Sequence, residues 1–409
     1  MKLKLIPLLL AAATLAVCLT GCGSEPVKVE VTESPAPAAS AEPAATPAAV
    51  TPSETPAAET TDPEAEARAA RYKAAYETYA PDTVVLTVGS KSITWDKFFS
   101  WIYDIGTQLE DSLEFDDWNA YMVQLSGVVE EATPAAYVTS YAMHYSTQLA
   151  AIRMKAEELG ITLTETQQKQ IQATLDGYAE RYGGQEAFEQ VLSEIYLPMD
   201  YFREQNEAVT YINSIYELLY GADGEKLPAE DAIAYMIDSG YLYAKHILFS
   251  TVDDDMQPLA DDVIAEKKAE AEGVLTQLRD CPPEDLAELF DSLMQLYNED
   301  PGMLSYPDGY FFLSGQMVPS FENAVLALGE NEVSDIVESD YGYHIIFRPV
   351  MDADSIMEYD SNYVPYTPRR FASAQLFDVM LTEWFDDAEQ SAQYAPGFDT
   401  LDLNELIGK

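Results

Sequence analysis

Apolar residues recur along this chain in two rhythms. From Thr133 onward they fall three and four apart, at Val138, Tyr141, Tyr145, Leu149, Ile152 and Leu159, with Pro134 suited to a first turn and Gly160 to a stop. This spacing predicts an amphipathic helix. Thr164 and Gln167 have capping-box form and predict a second helix start, followed by helices over Gln185–Tyr196, Pro198–Tyr220 and Pro228–Ile237. Upstream, Glu64–Tyr79 reads as a short helix and Val84–Val88 as a strand. A turn at Gly89 and a cap at Thr94 would then open a helix burying Trp95, Phe98, Phe99 and Ile102. Past residue 240 the rhythm shortens to two. It predicts a strand at Tyr241–Phe249, helices at Val263–Arg279 and Pro283–Tyr297, a strand at Gly309–Phe312, a helix at Ser320–Leu328, and strands at Val333–Glu338 and Tyr343–Pro349. After the polar stretch Asp352–Tyr366, a last helix over Arg369–Gln390 carries Phe371, Leu376, Met380, Leu381, Trp384 and Phe385, a stripe that needs a surface to cover.

The first 65 residues follow neither rhythm. Lys2 and Lys4 precede the apolar run Leu5–Val17 and the ending Leu19-Thr20-Gly21-Cys22, so residues 1–21 read as a signal peptide, too short for a comfortable membrane span. The ending resembles a bacterial lipobox, which implies cleavage before Cys22 and lipid attachment there. Residues 22–65 are rich in Pro, Ala, Thr and Glu, bury too little to fold, and read as a disordered tether. Cys18 would leave with the signal and Cys22 would carry lipid. Cys281 then remains alone as an inert helix-end residue, and the mature chain forms no internal disulfide. A net charge of −49 excludes nucleic acid as a partner and disfavours adhesion to anionic lipid.

Two of the three histidines, His246 and His344, lie inside the alternating runs, while His144 sits beside its helical stripe and reads as a surface-edge residue. The histidines are far apart, with no Cys or carboxylate at ligand spacing, so no metal site is expected. Around the pair, four segments occur in order: AKHILF at Ala244, NEDPG at Asn298, GQMVPSFENA at Gly315 and GENEVSDIVESDYGYHII at Gly329. Together they resemble a parvulin-type peptidyl-prolyl isomerase domain over residues 240–350. The flanks resemble extracytoplasmic foldases that embed such a domain in a helical chaperone module.

The resemblance implies an α+β protein in which a parvulin domain, a four-stranded antiparallel sheet with helices, is inserted in an all-α chaperone-like module. The module would span residues 66–239, with 351–409 forming a linker and a helix that returns to it. The implied activity is cis-trans isomerisation of X-Pro bonds in unfolded or partly folded exported polypeptides, at the outer face of the cell membrane and without a cofactor. Breaking amide conjugation costs about 18–20 kcal/mol, and a catalyst has to favour the twisted amide over the planar one.

By resemblance, His246 and His344 form the site floor and Asp300 lies close to the reactive amide. Ser339 would fix the tautomer of His344. Met317 and Phe321 would form the proline slot, with Phe312 and Val318 beside them. The chain departs from the family pattern G-G-D-L-G-x-F: Ser305–Phe312 lacks the glycine pair and the leucine, so Tyr310 or Phe311 must replace that slot residue or leave it open.

Structural roles account for the same residues. The histidines could serve mainly to tie the sheet together, Met317 and Phe321 are spaced for ordinary core packing, and Asp300 before Pro301-Gly302 fits a turn. The alternative function is accordingly a non-catalytic holdase lipoprotein with a vestigial parvulin domain.

Overall fold

The computed structural model describes residues 63–408 apart from 114, 116, 120–122, 126–128, 305, 307 and 360–364. The expected signal peptide, Cys22 and nearly all of the tether lie outside the described residues; Pro63 to Ala65 already belong to a helix. The chain divides into two compact units, one ending at Ile215 and resuming over Leu381–Lys409, the other spanning Tyr216–Met380.

The first unit begins with helix α1 (Pro63–Tyr76), the hairpin β1 (Val84–Val88) and β2 (Lys91–Thr94), and α2 (Trp95–Ser112). The residues read as turn and cap therefore extend into a second strand. Thr94 stands at the N-cap of α2, but its hydroxyl bonds the Asp96 carboxylate and caps no backbone N–H. A short pair, β3 (Val123–Leu125) and β4 (Val129–Ala132), leads to α3 (Pro134–Glu158), whose first turn is capped by Thr133 accepting from Ala136 N–H at 3.2 Å. Helices α4 (Glu165–Arg181), α5 (Gln185–Glu194) and α6 (Met199–Leu219) follow. At the start of α4 the capping box is complete: Gln167 N–H donates to Thr164 Oγ1 at 3.2 Å, and Thr164 N–H donates to Gln167 Oε1 at 2.9 Å.

The core of this unit is aromatic. Trp95, Phe98, Phe99 and Trp101 on α2 are fully buried, Tyr72 and Tyr103 meet edge to face at 5.1 Å, and Trp101 stacks on Tyr145 at 4.6 Å. Indole nitrogens buried this way need acceptors. Trp95 Nε1 donates to Tyr76 O at 2.8 Å, and Trp101 Nε1 donates to the Tyr201 hydroxyl at 2.9 Å. His144 is half-buried at the side of α3, bonded to Gln148 at 2.9 Å and Glu389 at 3.2 Å.

The second unit contains α7 (Ala229–Asp238), β5 (Leu242–Ser250), α8 (Asp261–Asp280), α9 (Leu286–Tyr297), β6 (Tyr310–Phe312), α10 (Pro319–Ala327), β7 (Glu332–Val333), β8 (Val337–Ser339) and β9 (Gly342–Arg348). Its antiparallel sheet runs β6-β5-β9, and the outer side of β9 pairs with β7 near Arg348 and with β8 near His344. The sheet is thus four positions wide, as expected, but the run Val333–Glu338 forms two short strands where one was anticipated. Ser334 explains the break: its hydroxyl accepts from Ile346 N–H at 2.9 Å while its own N–H donates to Ile346 O at 2.8 Å, which interrupts the ladder at that residue.

The two faces of the sheet bury different layers. Ile247, Phe249, Ile345 and Phe347 pack on Val274, Leu275 and Leu278 of α8 and on Phe290 and Leu293 of α9. Ala244 and Ile346 point the other way, with Phe312, Phe321 and Val325. Alternation places His246 and His344 on this second face. Cys281 is the C-cap of α8, and burial raises its thiol pKa.

Two short strands, β10 (Glu358–Tyr359) and β11 (Pro365–Tyr366), precede the long helix α11 (Pro368–Ser391), in which the boundary between the units falls. Beyond it, β12 (Gln393–Tyr394) pairs antiparallel with β1, and α12 (Leu403–Ile407) ends the described chain. The module anticipated as all-α therefore carries the three-stranded sheet β12-β1-β2 and the β3-β4 pair among its helices.

Candidate active site

The register of β5 and β9 sets the site. His246 lies opposite Ile346 and His344 opposite Leu248, so the two imidazoles are diagonal neighbours on one face. They stack 5.2 Å apart at 14° with Nδ1 facing Nδ1 at 3.0 Å, and each residue is only 4% exposed. Buried imidazoles need partners on both nitrogens. Ser339 Oγ, 2.7 Å from His344 Nε2, supplies one, and Asp300 Oδ2, 2.8 Å from His246 Nε2, supplies the other.

Asp300 arrives there because β6 pairs with β5 only from Leu242 to Ala244 and leaves the rest of that edge open. The segment after α9 takes the vacant edge. Leu248 N–H donates to Asn298 Oδ1 at 2.7 Å, Glu299 N–H donates to Leu248 O at 3.0 Å, and Ser250 N–H donates to Glu299 Oε2 at 2.8 Å. Asn298 and Glu299 were missed by sequence reasoning, although both stand in the NEDPG segment that drew attention to Asp300. They anchor the turn that carries the carboxylate.

Three donors converge on Asp300: His246 Nε2, the Tyr310 hydroxyl at 2.7 Å on the same oxygen, and Gly302 N–H at 2.9 Å on the other. Burial alone would raise its pKa, but these bonds outweigh burial and bring it down to about 2. Burial and the neighbouring His246 lower the pKa of His344 to about 4, so that ring is neutral near pH 7. Taking His246 Nε2–H as the donor to Asp300, the chain of bonds is consistent in one direction. Tyr341 N–H donates to Ser339 Oγ at 3.1 Å, Ser339 donates to His344 Nε2, His344 Nδ1–H donates to His246 Nδ1, and His246 Nε2–H donates to Asp300.

A cleft of about 740 Å³ opens over this network, lined by His246, Asp300, Tyr310, Met317, Val318, Phe321 and His344 together with the Val252–Leu259 loop, Lys267, Glu299 and Tyr341. Phe321 meets His246 edge to face at 5.3 Å and His344 at 5.8 Å. Of the five expected slot residues, Tyr310, Met317, Val318 and Phe321 line the cleft. Phe312 does not: it is 1% exposed, 6.1 Å from Phe321, and belongs to the core beneath. Between Tyr310 and Phe311, strand alternation decides. Tyr310 faces the cleft, whereas Phe311 stacks on Tyr243 at 4.2 Å. Among the described residues, no group of three His, Cys, Asp or Glu side chains could hold a metal ion.

Residues 246–348 match the family model described as Rotamase, the PPIC-type PPIase domain. The foldase protein PrsA of Staphylococcus epidermidis is 30% identical over 182 residues, covering 44% of this chain and 50% of that protein. PrsA of Geobacillus sp. is 39% identical over 90 residues, covering 21% and 30%. The crystal structure of PrsA from Bacillus subtilis is 20% identical, with coverage of 67% and 91% and a TM-score of 0.22. The chain thus spans about half the length of the first of these curated relatives, and less of the second. Residues 246–348 are therefore a parvulin domain of the PPIC-type peptidyl-prolyl isomerase family, carried in a chain similar to the foldase protein PrsA.

Proposed function

We propose that this protein isomerises X-Pro peptide bonds in exported polypeptides, working as an extracytoplasmic foldase held to the membrane through lipid on Cys22. The observation that carries the reading is an ionised, triply bonded Asp300 at the floor of a cleft with an apolar wall. Met317, Val318 and Phe321 offer that wall to a pyrrolidine ring. The planar amide owes its stiffness to charge separation between nitrogen and oxygen, and a fixed negative charge beside the carbonyl oxygen opposes that separation. Asp300 is already oriented by its donors, so little reorganisation accompanies the twist. No helix among the described residues is long and apolar enough to cross a membrane; the anchor in this reading rests on the lipobox ending at Cys22.

The test is turnover of X-Pro peptides and acceleration of a proline-limited refolding reaction by the purified protein. Uncatalysed isomerisation takes tens of seconds, so even modest catalysis is measurable. No acceleration at high enzyme would remove the catalytic function. Failure of Cys22→Ser to release the protein from membranes would remove the anchor.

A further inference from the structure

Tyr310, one of the two residues expected to take over from the pattern's leucine, does more than fill a wall. We infer that Tyr310 is a positioning residue for the isomerisation, its hydroxyl fixing the orientation of the Asp300 carboxylate against His246 while its ring borders the proline slot. This rests on the isomerase reading above.

The hydroxyl donates to the same Asp300 oxygen that accepts from His246. His246 and Gly302 N–H hold one oxygen each, and the Tyr310 hydroxyl adds a second donor to the oxygen that faces His246. This bond strengthens the hold on that oxygen and on the charged form of the carboxylate, and leucine has no group with which to make it. Two further features fit the chain to this contact. Gly309, at φ +111°, brings the backbone into β6 so close to β5 that a Cβ there would press on Ala244 O, and this seats Tyr310 opposite Ala244. Gly302 has no Cβ, and one added there would collide with the Tyr310 hydroxyl. The tyrosine ring is held from both sides, edge to face against His246 at 5.7 Å and tilted against Tyr306 at 5.0 Å. Loss of the hydroxyl would leave the ring, the cleft wall and the sheet in place.

The experiment compares the intact protein with Tyr310→Phe, Gly302→Ala and the double variant. It follows the Asp300 carboxyl resonance by NMR across pH, alongside kcat and KM on an Ala-Pro peptide. In Tyr310→Phe the Asp300 titration should move up by about one to two pH units, the worth of a hydrogen bond to a charged group. Its kcat should fall about tenfold with KM little changed. Gly302→Ala should reproduce the titration shift by displacing the hydroxyl, and should add little in the Tyr310→Phe background, where no hydroxyl remains to displace. An unmoved Asp300 titration in Tyr310→Phe overturns the inference, as does a full additive penalty from Gly302→Ala in the double variant. If the intact protein shows no turnover, the isomerase reading fails, yet the Asp300 titration still decides whether Tyr310 holds the carboxylate.

Discussion

In the sheet unit, Asn298, Asp300, Tyr310, Ser339 and both core histidines all have hydrogen-bond partners, and the bonds form one connected chain. In the helical unit, the Tyr72 hydroxyl, one carboxylate oxygen of Glu110, Trp118 Nε1 and both amide atoms of Gln205 are buried without a hydrogen-bond partner among the described residues. Networks of the first kind fix a geometry, because moving one member costs its neighbours their bonds. Buried groups of the second kind cost free energy that surrounding packing must offset. The interlocked rings of Tyr72, Phe99, Tyr103 and Tyr196 supply such packing. One unit is built to hold particular atoms in place, the other to hold together by apolar contact.

The largest expected effect tests the aromatic side of this contrast. Phe99→Ala should lower stability by about 3–5 kcal/mol, read from denaturant midpoints, because it empties a fully buried position. Turnover per folded molecule should not change, and a parallel loss of turnover would mean that the units are not independent in function. Asp300→Ala should cut kcat/KM by about 100-fold and cost about 1–3 kcal/mol, since it strands the His246 and Tyr310 donors. A stable and active variant would break the claim that the network serves catalysis.

The pH response separates the units next. His344 is neutral in the fold, with a pKa lowered to about 4, while in the unfolded chain it protonates near the ordinary value of 6.5. Its contribution is therefore complete above pH 6.5 and is lost as pH falls from there to 4, by at most about 3 kcal/mol. Asp300 has the usual carboxylate sign and loses its contribution lower, between 3.8 and about 2. Denaturant midpoints at pH 7 and pH 5 should differ in the intact protein and converge in His344→Gln. An unchanged difference would place the acid sensitivity elsewhere. The smallest effect belongs to Gln205→Leu, which should stabilise the protein by about 1 kcal/mol by removing two unpartnered buried atoms. Destabilisation would show that the amide is bonded in solution.

Much of this was legible in the sequence because its signals were local. Alternation placed His246 and His344 on strands, three- and four-residue spacing placed α3, α5 and α6 within a residue or two of their ends, and a capping box marked the start of α4. What escaped depends on pairings remote along the chain. Strand β12 has only two residues and exists through its contact with β1. The bonds of Asn298 to Leu248 and of Tyr310 to Asp300 follow from where β6 stops, which no periodicity encodes. Phe312 carried the same apolar signal as Phe321, and only the sheet register separates core from cleft wall.

The pairing of β12 with β1 also has a meaning in time. Thr87 and Gln393 meet across a separation of 306 residues, and Ala395 N–H closes on Val85 O at 2.8 Å. A chain emerging from its N-terminus has every residue of the unit bounded by Tyr216 and Met380 before the strand that completes the β1 sheet appears. The sheet of that unit has all its strands while the unit begun first still lacks its closing one, so the segment threaded into the middle of the chain is the first to have every residue it needs.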